Sequence, residues 1–338
     1  MTLRWQWILL VLALVLPALA RAQDKGEVVV YTALDRQYSE PILKLFEERT
    51  GIKVRPVFDA EAVKTVGLVN RLLAERNRPV ADVFWNNEVL RSVQLAKEGL
   101  AEAYVSPSAA DIPAGMKDPG GLWTGFAARA RVVMVNTRLL PNEDDWPSRT
   151  EDLLDPKWKG RAGFAKPLFG TTNTHAAMMF ARDPDKAIAF WTAAKANAVM
   201  LSGNATAADA VAAGEIAWCL TDTDDAHSLM LDGKPVAMRY TEGGPEGEGA
   251  VLLPNTLVLI KGRPNGDNGK KLIDFLLSAE VEGMLAKARS AQIPVRASVP
   301  GPERLPHLDP SKVLAPDWAK VHESLARTQS ELDKLVNQ

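Results

Sequence analysis

WTGFAARARVVMV, residues 123–135, and AVLLPNTLVLI, residues 250–260, are the two long extended stretches of this chain. Both exceed the usual strand of about five or six residues. One α/β set lies before the first. EVVVYT (27–32) is a β-branched run that reads as a buried strand. Tyr38–Thr50 places Ile42, Leu43 and Phe46 at helical spacing and stops at Gly51. IKVRPV (52–57) is a second strand, Ala62–Glu75 a helix, Val80–Trp85 a third strand and Val89–Gly99 a helix that ends on its glycine. Strand, helix, strand is the unit that builds a parallel sheet.

A second α/β set lies between the two long stretches. Ala162–Phe164, Val199–Leu201 and Ile216–Leu220 read as strands, and His175–Phe180, Lys186–Lys195 and Ala207–Ala213 as helices. Helices at Gly269–Leu277 and Glu280–Lys287 follow, then a proline-rich extended passage from Pro300 to Pro316 and an amphipathic helix to Leu335. The expected fold is α/β and two-lobed, each lobe a mixed sheet flanked by helices, with the lobes joined by two crossing strands. The expected division is 23–128 with 258–305 for lobe 1 and 129–257 with 306–338 for lobe 2. Open α/β sheets bind ligands beyond the carboxyl ends of their strands. Two such lobes face to face make a cleft that closes by hinge motion.

Arg4 is the only charge before an apolar run from Trp7 to Leu16, and Ala20-Arg21-Ala22 follows. That pattern predicts a cleavable signal peptide over residues 1–22 and a periplasmic product. The run is shorter than the roughly 20 residues of a membrane span. No cysteine follows the cleavage site; the single cysteine, Cys219, sits in the apolar run IAWCL and reads as a small buried hydrophobe. A formal net charge of −2 argues against a nucleic-acid partner, which needs a basic face.

Seven segments, in order, carry a family resemblance. They are VVVYTALDRQ (28–37), FEERTGIKV (46–54), ADVFWNNE (81–88), RVVMVNTRLL (131–140), LLDPKWKGRAGFA (153–165), GEIAWCL (214–220) and SAQIPV (290–295). The chain resembles the periplasmic ferric-ion-binding family, a branch of the type II solute-binding proteins that serve ABC importers. The resemblance implies the type II periplasmic binding protein fold, a permease partner, a monomer, and ferric ion with carbonate or phosphate as cargo rather than as catalyst. In that family two adjacent tyrosines hold the iron; the matching positions here are Asp224 and Asp225. The family's histidine falls at Asp35, and its glutamate at Asn87, with Glu88 beside it.

The candidate cleft is therefore acidic on one side: Asp35, Glu88, Asp222, Asp224 and Asp225. Carboxylate oxygens suit a hard metal ion, for which Asp35, Glu88, Asp224 and Asp225 are the candidate ligands. They equally suit an ammonium group, and Asp and Thr at a strand end also cap helices. The other side suits an anion. Gly170, Thr171 and Thr172 precede a helix, Asn204 precedes another, and Arg131, with Arg129, lies on the first crossing strand. In iron-binding relatives a synergistic anion occupies the loop that matches 170–172. Two cargo types fit this arrangement, a metal ion with its anion and a zwitterion such as an aminoalkylphosphonate. Trp85, Trp123, Phe126 and Phe169 are candidate cleft aromatics.

The rival class is a secreted metal-dependent hydrolase using paired aspartates. The sequence has no P-loop, H-E-x-x-H or G-x-S-x-G, and His175, His227, His307 and His322 form no tight ligand spacing. No catalytic residue is assigned.

Overall fold

The computed structural model describes residues 26–59, 66–241, 249–308, 313–314 and 316–337. The signal-peptide reading of residues 1–22 and the first residues of the Ala62–Glu75 helix lie outside them.

The first α/β set consists of β1 (Glu27–Thr32), α1 (Arg36–Thr50), β2 (Lys53–Phe58), α2 (Val66–Ala74), β3 (Val83–Asn86), α3 (Leu90–Lys97) and β4 (Ala101–Glu102). β1 pairs in parallel with β2 on one side and β3 on the other. α1 buries Ile42, Leu43 and Phe46, as its spacing predicts, and Gly51 ends it at φ 69°, where its N–H reaches the Glu47 carbonyl. The long strand β5 (Thr124–Asn136) follows.

The second set consists of β6 (Ala162–Ala165), α4 (Gly170–Arg182), α5 (Pro184–Asn197), β7 (Val199–Leu201), α6 (Asn204–Ala213), β8 (Trp218–Asp222), α7 (Thr223–Leu231) and β9 (Val236–Tyr240). The chain returns through β10 (Leu252–Ile260), α8 (Asn268–Leu276), α9 (Ala279–Lys287) and α10 (Trp318–Asn337). The strands join in the order β2-β1-β3-β10-β5-β8-β6-β7, with β4 on β10 and β9 on β5.

β5 is the seam. Its residues 124–130 run antiparallel to β10, and residues 131–136 run antiparallel to β8 and β9. β10 pairs along its length with β5, β3 and β4, so the return passage between the two sheets is the short stretch Ala250–Val251 rather than the whole of 250–260. The Arg131 N–H donates to the Val251 carbonyl at 3.0 Å across that passage.

The seam is bulged. Ala128 faces Pro254 and Phe126 faces Asn255, so Ala127 is an extra residue, at φ 41°. A bulge re-aims the side chains that follow it. Side chains hold this one: Asn255 donates to the Ala127 carbonyl, and the Ala127 N–H donates to Glu282 Oε1 at 2.8 Å.

α10 packs on both sets. Trp318, Val321 and Leu325 join Leu90, Val93, Ala177 and Met178 in one buried cluster, and Leu332 joins Phe180, Phe190 and Trp191 in another. Cys219 is fully buried, and burial pushes its thiol pKa up, consistent with a packing role. Trp85, Trp123 and Phe126 are core residues rather than cleft aromatics, because large apolar side chains on the seam strands pack into the layers below; Phe169 is 56 % exposed.

Candidate ligand-binding cleft

β8 delivers its carboxyl end, Asp222, to the point where α7 begins, so Thr223, Asp224 and Asp225 are the first turn of a helix. Acidic side chains there are favoured by the helix dipole. α4 and α6 begin beside it. α4 starts at Gly170 and α6 at Asn204, so Gly170, Thr171, Thr172 and Asn204 are first-turn residues rather than loop residues ahead of the helices. Threonine and asparagine have modest helix propensity, which hides a helix start in the sequence, and packing overrides it here. Thr171 and Thr172 are buried.

These first turns meet around Asp222, which is fully buried. Arg131 Nη1 donates to its Oδ1 at 2.7 Å. Thr171 Oγ1 donates to Oδ2 at 2.6 Å, and Asn204 Nδ2 donates to the same oxygen at 3.1 Å. Thr172 Oγ1 donates to Asn204 Oδ1 at 3.0 Å and ties α4 to α6. Burial works against the Asp222 charge most strongly, but Arg131, Arg129 and Thr171 together hold its carboxyl below the usual carboxylate range. Four of the groups proposed for an external anion, Arg131, Thr171, Thr172 and Asn204, thus form a nest for the protein's own carboxylate and its neighbours. Asp222 is an internal anion, not an open ligand. Nε and Nη2 of Arg131 and Nδ1 of the adjacent buried His175 have no protein hydrogen-bond partner among the described residues. Burial, and then Arg131, push His175 down to about 3, so it is neutral at ordinary pH.

Asp224 and Asp225 behave differently. Asp225 accepts from Thr221 Oγ1 at 2.7 Å, and burial with the Asp224 and Asp222 charges pushes its carboxyl up to about 8. Asp224 is raised too, by burial first and by Asp222 and Asp35, against the pull of Arg129. Its side chain is one-quarter exposed, and its buried Oδ1 has no protein partner among the described residues.

Arg129 stands among these carboxylates. Its Nη1 lies 3.5 Å from Asp222 Oδ2 and 3.5 Å from Asp224 Oδ2, and its Nη2 donates to the Asn87 carbonyl at 2.6 Å. Burial favours losing its proton, but Asp224, Asp222, Asp225 and Asp35 outweigh that and hold it firmly charged.

Beside Arg129 is a small, partly open cavity of about 30 Å3, lined by Leu34, Asp35, Tyr38, Asn87, Arg129, Asp224, Ser290 and Gln292. Burial and the Asp35 and Asp224 charges raise the Tyr38 phenol, which therefore stays protonated. Ser290 is 1 % exposed and its hydroxyl has no protein partner among the described residues. Gln292 Oε1 accepts from Asn255 at 2.6 Å. Ala291, between Ser290 and Gln292, has φ 44°, a strained value for a residue with a Cβ.

The four candidate metal ligands do not gather as one set. The carboxylates that come within 4.8 Å of one another are Asp222, Asp224 and Asp225. Asp35 faces Asp224 across the small cavity. Glu88 accepts from the N–H groups of Leu90 at 2.7 Å and Arg91 at 3.0 Å, which makes it a cap on α3, and from Thr174 Oγ1 of α4 at 3.1 Å. Arg129, Tyr38, Ser290 and Gln292 complete the cleft. Arg129 was legible as an arginine on the crossing strand; the other three had no chemical signature in the sequence.

A model of the family described as bacterial extracellular solute-binding protein matches residues 79–324. Iron uptake protein A1 of Synechocystis sp. is 26 % identical over 287 residues, covering 82 % of this chain and 78 % of that protein. A putative 2-aminoethylphosphonate-binding periplasmic protein of Salmonella typhimurium is 27 % identical over 312 residues, covering 89 % and 88 %. The crystal structure of iron-bound HitA from Pseudomonas aeruginosa superposes with a TM-score of 0.80 at 24 % identity, covering 90 % of this chain and 99 % of that one. The fold is that of the type II periplasmic binding proteins, as the two crossing stretches imply.

Proposed function

The chain belongs to the bacterial extracellular solute-binding protein family, and on that premise we propose that it captures a small charged cargo outside the cytoplasm and hands it to an ABC permease. It is a binding protein and not an enzyme. The observation that carries the reading is the sidedness of the cleft. Asp35, Tyr38, Asn87, Ser290 and Gln292 come from the first sheet and its helices, Asp224 comes from the second, and Arg129 comes from the strand that joins them. A ligand held between Asp35 and Asp224 bridges both sides, so it stabilises closure by the difference between its affinities for the closed and open forms. The lobes are 23–128 with 252–305 and 129–251 with 306–338, the return boundary moving from 257 to 251 because β10 pairs with β3 of the first sheet; the secreted chain is periplasmic and works as a monomer, and the hinge runs through Ala128–Arg131 and Val251.

Two cargoes follow. Ferric ion with carbonate or phosphate is supported by relatives named for iron and by Asp224 and Asp225, two carboxylates close enough to share an ion. An aminoalkylphosphonate is supported by the Salmonella relative and by Arg129 and Arg131, which already neutralise much of the carboxylate charge. Arg129, which lines the cavity, supplies the anion's side in either case.

Thermal unfolding of the metal-stripped protein tests the reading. A cargo at 100 times its Kd adds about 2.7 kcal/mol, which raises Tm by roughly 5 °C or more in a chain of this size. Ferric ion with carbonate or citrate, divalent metals and 2-aminoethylphosphonate form the panel. Hydrolysis of a phosphate ester, with no shift from any cargo, would overturn the proposal in favour of a secreted hydrolase.

A further inference from the structure

We propose that the cavity between Asp35, Tyr38, Asp224 and Ser290 receives a single ammonium group of an organic cargo, not a hydrated metal ion. The inference rests on the cargo-capture reading above and names the chemistry of its cationic end.

Three observations carry it. The first is the set of atoms left without partners. Asp224 Oδ1 and Ser290 Oγ are buried, have no protein hydrogen-bond partner among the described residues, and belong to residues that line the same cavity from opposite sides of the cleft. A buried carboxylate oxygen and a buried hydroxyl without partners call for a donor. An ammonium group brings three. It satisfies Asp224 and Ser290 together and leaves a third N–H for Asp35, which lines the same cavity. Tyr38 also lines the cavity, and an aromatic ring is a group that attracts a cation.

Size is the second observation. About 30 Å3 is room for a group on the scale of one water molecule. An ammonium fits that volume without moving a side chain. A hydrated metal ion, which brings several water or oxygen ligands with it, does not.

The third is Arg129. Its guanidinium lies 3.5 Å from Asp224 and from Asp222 and is anchored on the Asn87 carbonyl. The position that a metal would take among Asp222, Asp224 and Asp225 is already served by a fixed cation. Asp222 is committed further, to Arg131, Thr171 and Asn204. The ammonium takes Asp224 and Asp35 as partners, and the cargo's own anionic group can turn toward the guanidinium.

The test is calorimetric titration of the metal-stripped, signal-free chain with a matched pair, 2-aminoethylphosphonate and ethylphosphonate, and separately with ferric citrate. The pair differs only in the amine. The expected result is binding of 2-aminoethylphosphonate at least 100-fold tighter than ethylphosphonate. In Ser290→Ala that ratio falls at least 10-fold, while circular dichroism stays that of the parent. Ser290→Val, which fills the cavity, removes the preference altogether; the smaller alanine variant keeps the test valid if the valine chain misfolds. Equal binding of the two phosphonates overturns the ammonium site and leaves the cargo-capture reading standing. Binding of ferric citrate with no response to 2-aminoethylphosphonate overturns it in favour of the metal, again with cargo capture intact. Failure of all three ligands overturns it and removes the support for both cargo classes.

Discussion

Asp222 and Asp224 stand two residues apart at the end of one strand, and their surroundings give them opposite roles. Asp222 is fully buried, and two arginines, a threonine and an asparagine reach its oxygens. Asp224 is one-quarter exposed, with Arg129 3.5 Å from one oxygen and, among the described residues, no protein partner on the other. The first is lowered by its partners against the cost of burial, and the second is raised. A carboxylate whose needs are met by the protein has nothing to offer a cargo. One held short of partners does. The three aspartates that look alike in TDTDD thus divide into a structural anion, Asp222, a cleft-facing carboxylate, Asp224, and a third, Asp225, that keeps its proton near neutral pH.

That division can be broken by substitution. The largest effect is expected at Asp222→Ala, which leaves Arg131 charged, buried and unpaired. Loss of one partner of a buried pair costs about 3–5 kcal/mol, read as a shift in the urea midpoint. A loss under 1 kcal/mol would mean that Asp222 is not the anchor of the nest.

Next comes Asp224→Asn. Cargo affinity should fall roughly 100-fold, an effect of about 3 kcal/mol that is typical of removing a charged hydrogen-bond partner. Stability should stay within about 1 kcal/mol of the parent, since this carboxylate has little support from the protein. A large stability loss with unchanged affinity would exchange the roles of the two aspartates.

Glu88→Ala should cost about 1–2 kcal/mol, the usual range for a helix cap. It should change cargo affinity much less than Asp224→Asn does, because the Glu88 oxygens serve Leu90, Arg91 and Thr174. Loss of metal binding in Glu88→Ala equal to that in Asp224→Asn would return Glu88 to the ligand set.

Asp225→Asn differs from these in sign: it is expected to stabilise the chain, by an amount that grows as pH rises. The folded chain holds a proton at Asp225 up to about pH 8, whereas an unfolded aspartate releases it near pH 4. Because the folded state binds more protons between those values, this group lowers stability as pH rises from about 4 to about 8. Asp225→Asn should match the parent closely at low pH and be the more stable chain at pH 9. Urea midpoints taken from pH 5 to pH 9 check this, and parallel curves for the two chains would show that Asp225 ionises as an ordinary surface acid.

Much of the architecture was legible because it rests on short-range rules. The β-branched run at 27–32, the apolar run at 216–220, the helical spacing of Ile42, Leu43 and Phe46, and the stop at Gly51 each follow from local sterics and burial. The first turns of α4 and α6 were placed too late, because Gly170–Thr174 and Asn204 lack the composition of a helix interior. Of the site, the acidic and anion-binding sides were named, but Tyr38, Ser290 and Gln292 were not. They are common residues on different helices and loops, and only folding brings them to one cavity.

The sequence by itself determined the two α/β sets, the long stretches between them and the concentration of aspartates at the end of β8. Hydrophobic period and strand-end position depend on neighbours in the chain, so they can be read from it. Tertiary structure alone decided which carboxylate is satisfied and which is left for cargo. That choice depends on the bulge at Ala127, which sets the direction of Arg129, and on α4 and α6 converging to enclose Asp222. Charge, burial and hydrogen bonding act through space over a few ångströms, and residues 129, 171, 204 and 222 become neighbours only when the sheet is complete.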